Sequence, residues 1–335
     1  QPKQPWMFAV LSLGIGAAGA ALCSAAWLRR RGARRVARWT GWRSNKYTCM
    51  PHVSAASKRA AEEATLRPTD VVVITFPKTG TTYLQQTCEQ LRTGGDLSFS
   101  EITERQPWLD FAWDCGQDLD ADQVAAPRLF KSHQLLSAIN PGAKYLSLVR
   151  DPESVLLSWF SFQKAKGRPP FTDCADANEY VATGHFEGRN IFGTNIWEYY
   201  AELWEARHEP NVLILCYEAL VEHQAAHLAR IADFLGVPRG ADRLQVVSRM
   251  TSKSFMLSHG DKFDDHFIME RQREFGRAVR VMEPAAKVTA GHQNVLTPAT
   301  KSRLQRMWAE RVLPRTGLGR YEAMAREVSE ASIPR

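Results

Sequence analysis

The sequence predicts an α/β domain in which helices flank a central parallel sheet. Three short segments have the length of buried strands: Val71 to Thr75, Arg128 to Ser132 and Tyr145 to Val149. The first and the third are each followed by a turn and a helical run. Open parallel sheets bind ligands beyond the carboxyl ends of their strands, so we expect the functional residues at that edge.

The length and composition fit one such domain with appendages. The chain has 335 residues, of which 44% are hydrophobic and 24% are charged, so neither disorder nor low complexity is indicated. We divide it into an apolar segment (1–28), a basic flank and linker (29–64) and the α/β domain (65–335).

The segment Pro-Lys-Thr-Gly-Thr-Thr follows the first predicted strand. The backbone N–H groups of such a turn, and of the helix that starts after it, point toward a common ligand, and the helix dipole favours an anion there. Lys78 adds a cation beside this position, and threonine hydroxyls add further donors. The pattern predicts a binding site for a phosphate or a sulfate.

This loop differs from that of the nucleoside triphosphatases. Their pattern places the lysine after the second glycine, where it reaches the β- and γ-phosphates. Here Lys78 precedes the only glycine of the loop, Gly80, which suits a shorter ligand bound without a metal. The alternative without a function is a threonine-rich helix cap after a core strand.

Three motifs together resemble the sulfotransferases that use 3′-phosphoadenosine 5′-phosphosulfate (PAPS), especially the cytosolic type. They are TFPKTGTTY in the first loop, RLFKSH at the second strand and LVRDPESVLLSWFSF at the third. The resemblance covers about residues 65 to 315. It implies the sulfotransferase fold, which is similar to that of the P-loop nucleotide hydrolases, and a sulfuryl transfer without metal.

The resemblance implies that His133 is the general base of this transfer. An alcohol is a weak nucleophile at neutral pH, and an imidazole can remove its proton as the new S–O bond forms. Lys78 is then expected to stabilise the leaving phosphate, and Lys131 the transferring group.

The resemblance also implies a set of PAPS-binding residues. Arg150 and Ser158 are expected to hold the 3′-phosphate, and Tyr217 to approach the adenine. The full set is Lys78, Thr79, Gly80, Thr81, Thr82, Tyr83, Arg150, Ser158, Tyr217, Thr251, Phe255 and Lys287. Lys287 is the only cation in the tripeptide Ala-Lys-Val, where relatives have Arg-Lys-Gly. Tyr83 and Tyr217 could instead be packing residues.

Aromatic residues are the candidates for the acceptor pocket. Trp108, Phe111 and Trp113 lie in an irregular aromatic segment, and Phe162 ends the third motif. A plain packing role is an equally good interpretation of the first three. Residues 163–190 are polar and predict a surface excursion near the mouth of the pocket.

The N-terminal segment predicts a membrane association. Residues 6–28 carry no charge across 23 positions, and a run rich in arginine follows directly. A cleaved leader or an organelle transit peptide is the alternative. The first 59 residues hold eleven Lys/Arg and no Asp/Glu, so 32 basic and 36 acidic residues remain. This balance gives the domain no signature of nucleic-acid binding.

The location of the domain follows from the same flank. Positive charge after an apolar segment favours a cytosolic location for that side. The six cysteines lack paired or metal-type spacing, and no N-glycosylation sequon occurs, which agrees with a reducing compartment. An organelle or the secretory pathway is the alternative if the leader is cleaved.

The sequence therefore predicts a sulfotransferase that acts on a hydroxyl or amine of a small, apolar acceptor. A kinase of the same fold would need a magnesium-binding carboxylate, for which Asp151 is the best candidate. A membrane-tethered protein that binds the nucleotide without catalysis is a third interpretation. The oligomeric state is left open, with a homodimer as one option.

Overall fold

The structure, a computed structural model, describes residues 39–42, 50, 52–288 and 295–330. The predicted membrane segment and most of the basic flank lie outside the described residues and stay predictions. Within the described ranges, no helix combines the length and the apolar character needed to cross a bilayer.

A four-stranded sheet lies at the centre of the domain, and all its neighbouring strands are parallel. The strands are β1 (Val71–Ile74), β2 (Leu129–Ser132), β3 (Lys144–Val149) and β4 (Val212–Cys216), in the spatial order β2-β1-β3-β4. In the register, Val72 lies opposite Phe130 on one side and Tyr145 on the other. The central parallel sheet predicted from the sequence is confirmed.

Helices connect and cover the strands. In chain order they are α1 (Ala55–Glu63), α2 (Thr81–Thr93), α3 (Ile102–Arg105), α4 (Pro152–Ala165), α5 (Ala177–Ala182), α6 (Ile196–Ala206), α7 (Tyr217–Glu222), α8 (Gln224–Leu235), α9 (Ala241–Met250), α10 (Lys253–Ser258), α11 (His266–Phe275), α12 (Pro298–Arg311), α13 (Leu313–Thr316) and α14 (Tyr321–Glu330). Helices α2, α4 and α7 start within a few residues of the end of a strand. Their N-termini therefore lie at the carboxyl edge of the sheet.

Both faces of the sheet are covered, because successive residues of a strand point to opposite faces. Val71 and Val73 belong to a core cluster with apolar residues of α2, α8 and α9. Val72 and Ile74 belong to a second cluster with residues of α4, α6 and α12. This double cover explains why β1 consists of apolar residues alone, and it leaves the strand ends as the accessible part of the sheet.

Tyr217 directly follows the end of β4 at Cys216 and is the first residue of α7. One segment differs from the sequence-based expectation. The polar stretch 163–190 is more than a surface excursion. It contains α5, and its Phe171 and Phe186 are buried in the core.

Candidate active site

The loop after β1 takes a backbone conformation that few residues adopt. Lys78 has φ +70° and Gly80 has φ +113°. A Cβ atom on Gly80 would lie 2.7 Å from Cδ2 of Tyr217, so a side chain has no room there. Gly80 is the N-cap of α2, and the first N–H groups of a helix have no acceptor within it. The loop is therefore suited to bind an anion.

The threonines of this loop have different tasks. The hydroxyl of Thr79 is buried and donates to the carbonyl of Phe76 at 2.7 Å, so it closes the turn. Thr81 and Thr82 line a cavity of about 430 Å³ at the carboxyl edge of the sheet. Thr81 Oγ1 also lies 2.6 Å from Thr75 Oγ1. Two of the three predicted hydroxyl donors are thus placed at the cavity.

Lys78 is enclosed in this cavity with few neutralising groups. Its Nζ lies 4.2 Å from the ring centroid of Phe162 and 3.5 Å from the carbonyl oxygen of Lys287. Burial, followed by the positive charges of Lys287 and Arg150, lowers the pKa of Lys78 to about 7. A bound anion would favour the charged ammonium again.

His133 lies at the end of β2 with one ring nitrogen already bonded. Its Nδ1 is 2.7 Å from the carbonyl oxygen of Thr75, and a carbonyl only accepts, so Nδ1 carries the proton of the neutral ring. The lone pair is then on Nε2. Burial, and next the charge of Lys131, hold the pKa of His133 well below its usual value. The residue has the tautomer and the neutral state that a general base requires.

Aromatic rings surround this histidine and its lysine neighbour. The ring of His133 lies 5.1 Å from that of Trp108 and 4.9 Å from that of Phe192. Lys131 Nζ lies 3.6 Å above the Trp108 ring, and burial and then Lys287 lower the pKa of Lys131 to about 7. The predicted base and the predicted lysine therefore share one aromatic wall.

Arg150 joins the third strand to the first loop. Its Nη1 donates to the carbonyl oxygen of Lys78 at 2.9 Å, and its guanidinium lies 4.4 Å from the Tyr217 ring. Ser158, two turns along α4, is buried and lines the same cavity. The two predicted phosphate-binding elements thus meet on one side of the sheet, where a single nucleotide can contact both.

A hydrogen-bond network marks the other end of the cavity. Gln224 Nε2 donates to the hydroxyl of Tyr83 at 2.8 Å and to Oγ1 of Thr251 at 3.1 Å. The rings of Tyr83 and Tyr217 are 6.4 Å apart. Phe255 lies outside the cavity lining and stacks on His259 with the ring centroids 4.1 Å apart. The predicted Thr251 lines the cavity. The ring of Phe255 instead packs against His259, four residues later in the chain.

Lys287 lines the cavity but is already paired. Its ammonium forms an ion pair with the buried carboxylate of Asp265. Burial lowers the pKa of Lys287, but the charges of Asp265 and Glu101 outweigh burial and raise it. The charge that we assigned to a phosphate is thus largely neutralised within the protein.

Asp151, the candidate magnesium ligand of a kinase, has a structural task. Its carboxylate accepts from the backbone N–H groups of Glu153 at 3.2 Å and Ser154 at 3.0 Å, so it caps α4. Among the described residues, no group of three His, Cys, Asp or Glu side chains could hold a metal ion.

Three of the four predicted acceptor residues line the cavity. Trp108, Phe111 and Phe162 line the cavity, whereas Trp113 is 46% exposed and lies against Arg277. The sequence reasoning missed other lining residues, which come from separate segments: Met50, His52, Trp159, Gln163, Lys166, Arg168, Ile191, Phe192, Gln224, Asp265 and Met282.

Part of this set could have been found from helical spacing. Ser158, Phe162 and Lys166 are four residues apart, as are Trp159 and Gln163, so they share one side of α4. No comparable local signal connects His52 or Met282 with the strand ends, because these residues reach the cavity through the tertiary fold.

Comparison with known proteins identifies the family. A family model described as the sulfotransferase domain matches residues 68–317. Sulfotransferase 2A1 of Homo sapiens is 26% identical over 232 residues, which are 67% of this chain and 78% of that protein. Sulfotransferase 4A1 of Mus musculus is 28% identical over 191 residues, which are 55% of this chain and 64% of that protein.

Solved structures share the fold. Mouse sulfotransferase SULT7A1, complexed with PAP, superposes with a TM-score of 0.56 at 17% identity, over 84% of this chain and 95% of that one. Retinol dehydratase, in complex with androsterone and PAP, superposes with a TM-score of 0.53 at 23% identity, over 79% and 86% of the two chains. Since the family match covers more than half of the sequence, this chain belongs to the PAPS-dependent sulfotransferases.

Proposed function

We propose that this enzyme transfers the sulfuryl group of PAPS to a hydroxyl or amine of a small acceptor with an apolar body, and that His133 is the general base. One observation carries the proposal. The hydrogen bond from Arg150 to the carbonyl of Lys78, at 2.9 Å, joins the two phosphate-binding elements at the cavity that also contains His133. The two solved relatives contain PAP, the nucleotide that remains after such a transfer.

The lining residues fit the two phosphates of PAPS. Lys78, the N–H groups at the start of α2, Thr81 and Thr82 would hold the 5′-phosphosulfate. Arg150 and Ser158 would hold the 3′-phosphate, for which a guanidinium offers paired N–H donors. Thr79 would contribute through its backbone, since its hydroxyl is bonded to Phe76. PAPS supplies a sulfuryl group on a phosphate leaving group.

His133 would act on the acceptor. The oxygen of the acceptor forms a bond to sulfur as the bond between sulfur and the bridging phosphate oxygen breaks. The bridging phosphate oxygen keeps the electron pair of the broken bond. The proton of the acceptor passes to Nε2 of His133, while Nδ1–H stays bonded to Thr75. Lys78 and Lys131 stabilise the negative charge that develops on both sides of the sulfur.

The aromatic wall supports an apolar acceptor. Trp108, Phe111 and Phe162, with Trp159 and Phe192, line the cavity around His133. Retinol dehydratase, which shares the fold, was crystallised with the apolar alcohol androsterone. Burial of such a body against aromatic rings excludes water from the reacting atoms.

A transfer assay tests the proposal. Purified protein is incubated with PAPS labelled at sulfur and with a panel of phenols, sterols, small alcohols and amines. We expect labelled product and equimolar PAP with at least one phenol or sterol. Binding of PAP without transfer to any member of the panel would instead support the non-catalytic interpretation.

We also propose that residues 6–28 attach the enzyme to a membrane, with the catalytic domain in the cytosol. The uncharged stretch and the basic residues after it support this orientation. Protease digestion of sealed vesicles that carry the full chain should degrade the domain. Protection of the domain would contradict the proposal and favour the lumen of an organelle.

A further inference from the structure

The cavity holds more positive charge than the two phosphate-binding elements account for. Among the described residues, seven lysine and arginine side chains line it, together with one carboxylate, that of Asp265. Lys78 and Arg150 are proposed to bind the phosphate groups and Lys131 the transferring group. Lys287 is paired with Asp265, and Lys253 is exposed beside Thr251. Lys166 and Arg168 are left at the aromatic end of the cavity.

Lys166 contacts an aromatic ring of the cavity, and Arg168 contacts the neighbouring Gln163. Lys166 Nζ is 4.9 Å from the ring centroid of Phe162, the ring that Lys78 also contacts, and it donates to the carbonyl oxygen of Glu283 at 3.0 Å. Arg168 Nη1 donates to Oε1 of Gln163 at 3.3 Å. Their side chains are therefore held at the cavity by neutral partners.

Neither cation has an acidic partner. Every Asp and Glu of the sequence lies in the described residues, and no carboxylate oxygen of these is within 4.0 Å of Lys166 or Arg168. Burial lowers the pKa of Lys166 to about 8 and, together with Arg280, lowers that of Arg168. The charges of Asp265 and Glu283 raise the pKa of Lys166, but by less than burial and the neighbouring cations lower it. A group of partly buried cations without an ion pair of its own is unfavourable unless a ligand supplies the charge.

Two neutral side chains add unsatisfied hydrogen-bonding atoms next to this group. Gln163 is 1% exposed, and its Nε2 has no partner in the part of the chain that the structure describes, although its Oε1 accepts from Arg168. His52 is 8% exposed, and its Nδ1 likewise has no partner there. Both residues line the cavity, and buried polar atoms without partners are rare in native proteins.

Lys166, the C-cap of α4, is separated from Ser158, the residue proposed to bind the 3′-phosphate. Lys166 is eight residues beyond Ser158 on the same helical path, which corresponds to about 12 Å along the axis. We propose that the acceptor carries an anionic group, a carboxylate in the simplest case, in addition to its reacting hydroxyl, and that Lys166 and Arg168 bind this group. The inference rests on the proposed function, since it assigns the aromatic end of the cavity to the acceptor.

Matched acceptors test the inference. 3-(4-Hydroxyphenyl)propanoate and its primary amide have the same phenol and nearly the same shape, but only the first is an anion. A hydroxysteroid carboxylate and its amide form a second, larger pair. For at least one pair we expect kcat/KM to be about tenfold or more higher with the carboxylate, because charge-assisted hydrogen bonds are strong.

Variants assign the effect to the two residues. Lys166→Met keeps the apolar stem near Phe162 and removes the charge. Arg168→Met removes the charge of the guanidinium and its hydrogen bond to Gln163. Each should lower the carboxylate-to-amide ratio of kcat/KM about tenfold. Lys253→Met is the matched control, because Lys253 lines the same cavity near Thr251, and it should leave the ratio unchanged. Quenching of the tryptophan fluorescence, to which Trp108 and Trp159 of the cavity contribute, measures acceptor binding in the PAP complex independently of turnover.

The outcomes are distinguishable. If Lys166→Met lowered kcat/KM equally for the carboxylate and for the amide, Lys166 would act on the transferring sulfuryl group, and the inference would be overturned. Weaker binding of PAP to Lys166→Met or Arg168→Met would assign these cations to the nucleotide and overturn it as well. Both results would leave the sulfuryl transfer intact. Absence of PAP binding, or of transfer to every acceptor, would overturn the proposed function and the inference together.

Discussion

The two ends of the cavity are built in different ways. At the nucleotide end, the positions of Lys78, Gly80 and Arg150 follow from short local segments, each a strand, a turn and the start of a helix. At the acceptor end, His52, Trp159 and the other lining residues come from distant parts of the chain. Contiguous motifs thus identify the phosphate chemistry, whereas the acceptor depends on the tertiary fold.

The largest effect is expected where the two ends meet, at His133. Replacement of His133 by Ala removes the proposed base and should lower kcat by about 10² to 10⁴. The affinity for PAP should stay within about twofold, since none of the phosphate-binding elements includes this side chain. Steady-state turnover with labelled PAPS, together with calorimetric titration of PAP, measures both quantities.

A matched control shows whether the loss is chemical. Trp108→Phe keeps an aromatic ring beside the His133 imidazole and should retain most of the turnover. Full turnover of His133→Ala would mean that another group accepts the proton. A large loss of PAP affinity would mean that His133 holds the site together instead.

The next effect concerns the nucleotide end alone. Arg150→Ala removes the guanidinium proposed for the 3′-phosphate and should weaken PAP binding by about 10- to 100-fold, as expected for hydrogen bonds to a charged group. Adenosine 5′-phosphosulfate, which lacks the 3′-phosphate, should lose much less affinity. Calorimetric titration of both nucleotides into the wild type and the variant gives the comparison.

If Arg150→Ala lowered the affinity for PAP and for adenosine 5′-phosphosulfate equally, the assignment of Arg150 to the 3′-phosphate would be contradicted. Equal losses would indicate that Arg150 acts through the first loop, because its Nη1 also donates to the carbonyl of Lys78. Arg150→Lys separates the two roles, since a lysine keeps the charge but lacks the paired donors.

The third effect is a pH dependence of PAP affinity, which concerns the nucleotide end of the cavity. The pKa of Lys78 is about 7 in the free cavity, and an anion binds its ammonium form. The ammonium is therefore lost as pH rises through 7, and the affinity for PAP should fall by up to about tenfold per pH unit above it. Lys131, with a pKa of about 7, changes in the same direction.

Proton uptake provides the measurement. Titration of PAP in two buffers of different ionisation enthalpy at pH 8 should show that protons are bound with the nucleotide. Lys78→Arg keeps its charge at this pH and should reduce the uptake. A constant affinity between pH 7 and 9 would show that Lys78 stays protonated in the free enzyme.

Much of the fold could be predicted because its strands are buried on both faces. The predicted strand at Val71 to Thr75 differs from β1 by one residue, and the one at Tyr145 to Val149 differs from β3 by one. The turn at Gly80 was predictable because proline and glycine follow the strand at positions 77 and 80. The structure adds that only glycine has room beside Tyr217. Local sequence thus determines the elements that are proposed to position the phosphates.

Other features depend on partners that are distant in sequence. Nothing near Lys287 indicates that Asp265, 22 residues earlier, neutralises it. Phe255, which the resemblance places among the PAPS-binding residues, is a second case. Helix α10, which begins at Lys253, sets the direction of that ring, and a motif alone does not contain this information.

The smallest effect tests this last residue against its neighbour in the same segment. Phe255→Ala should change the affinity for PAP less than about twofold, because its ring stacks on His259 outside the cavity. Thr251→Val removes the Oγ1 that accepts from Gln224 Nε2 at 3.1 Å, and this amide also holds the Tyr83 hydroxyl. The loss of one such hydrogen bond corresponds to about two- to tenfold in affinity. A larger loss of PAP affinity for Phe255→Ala than for Thr251→Val would contradict this prediction. The Phe255 ring would then have to move into the cavity when the nucleotide binds.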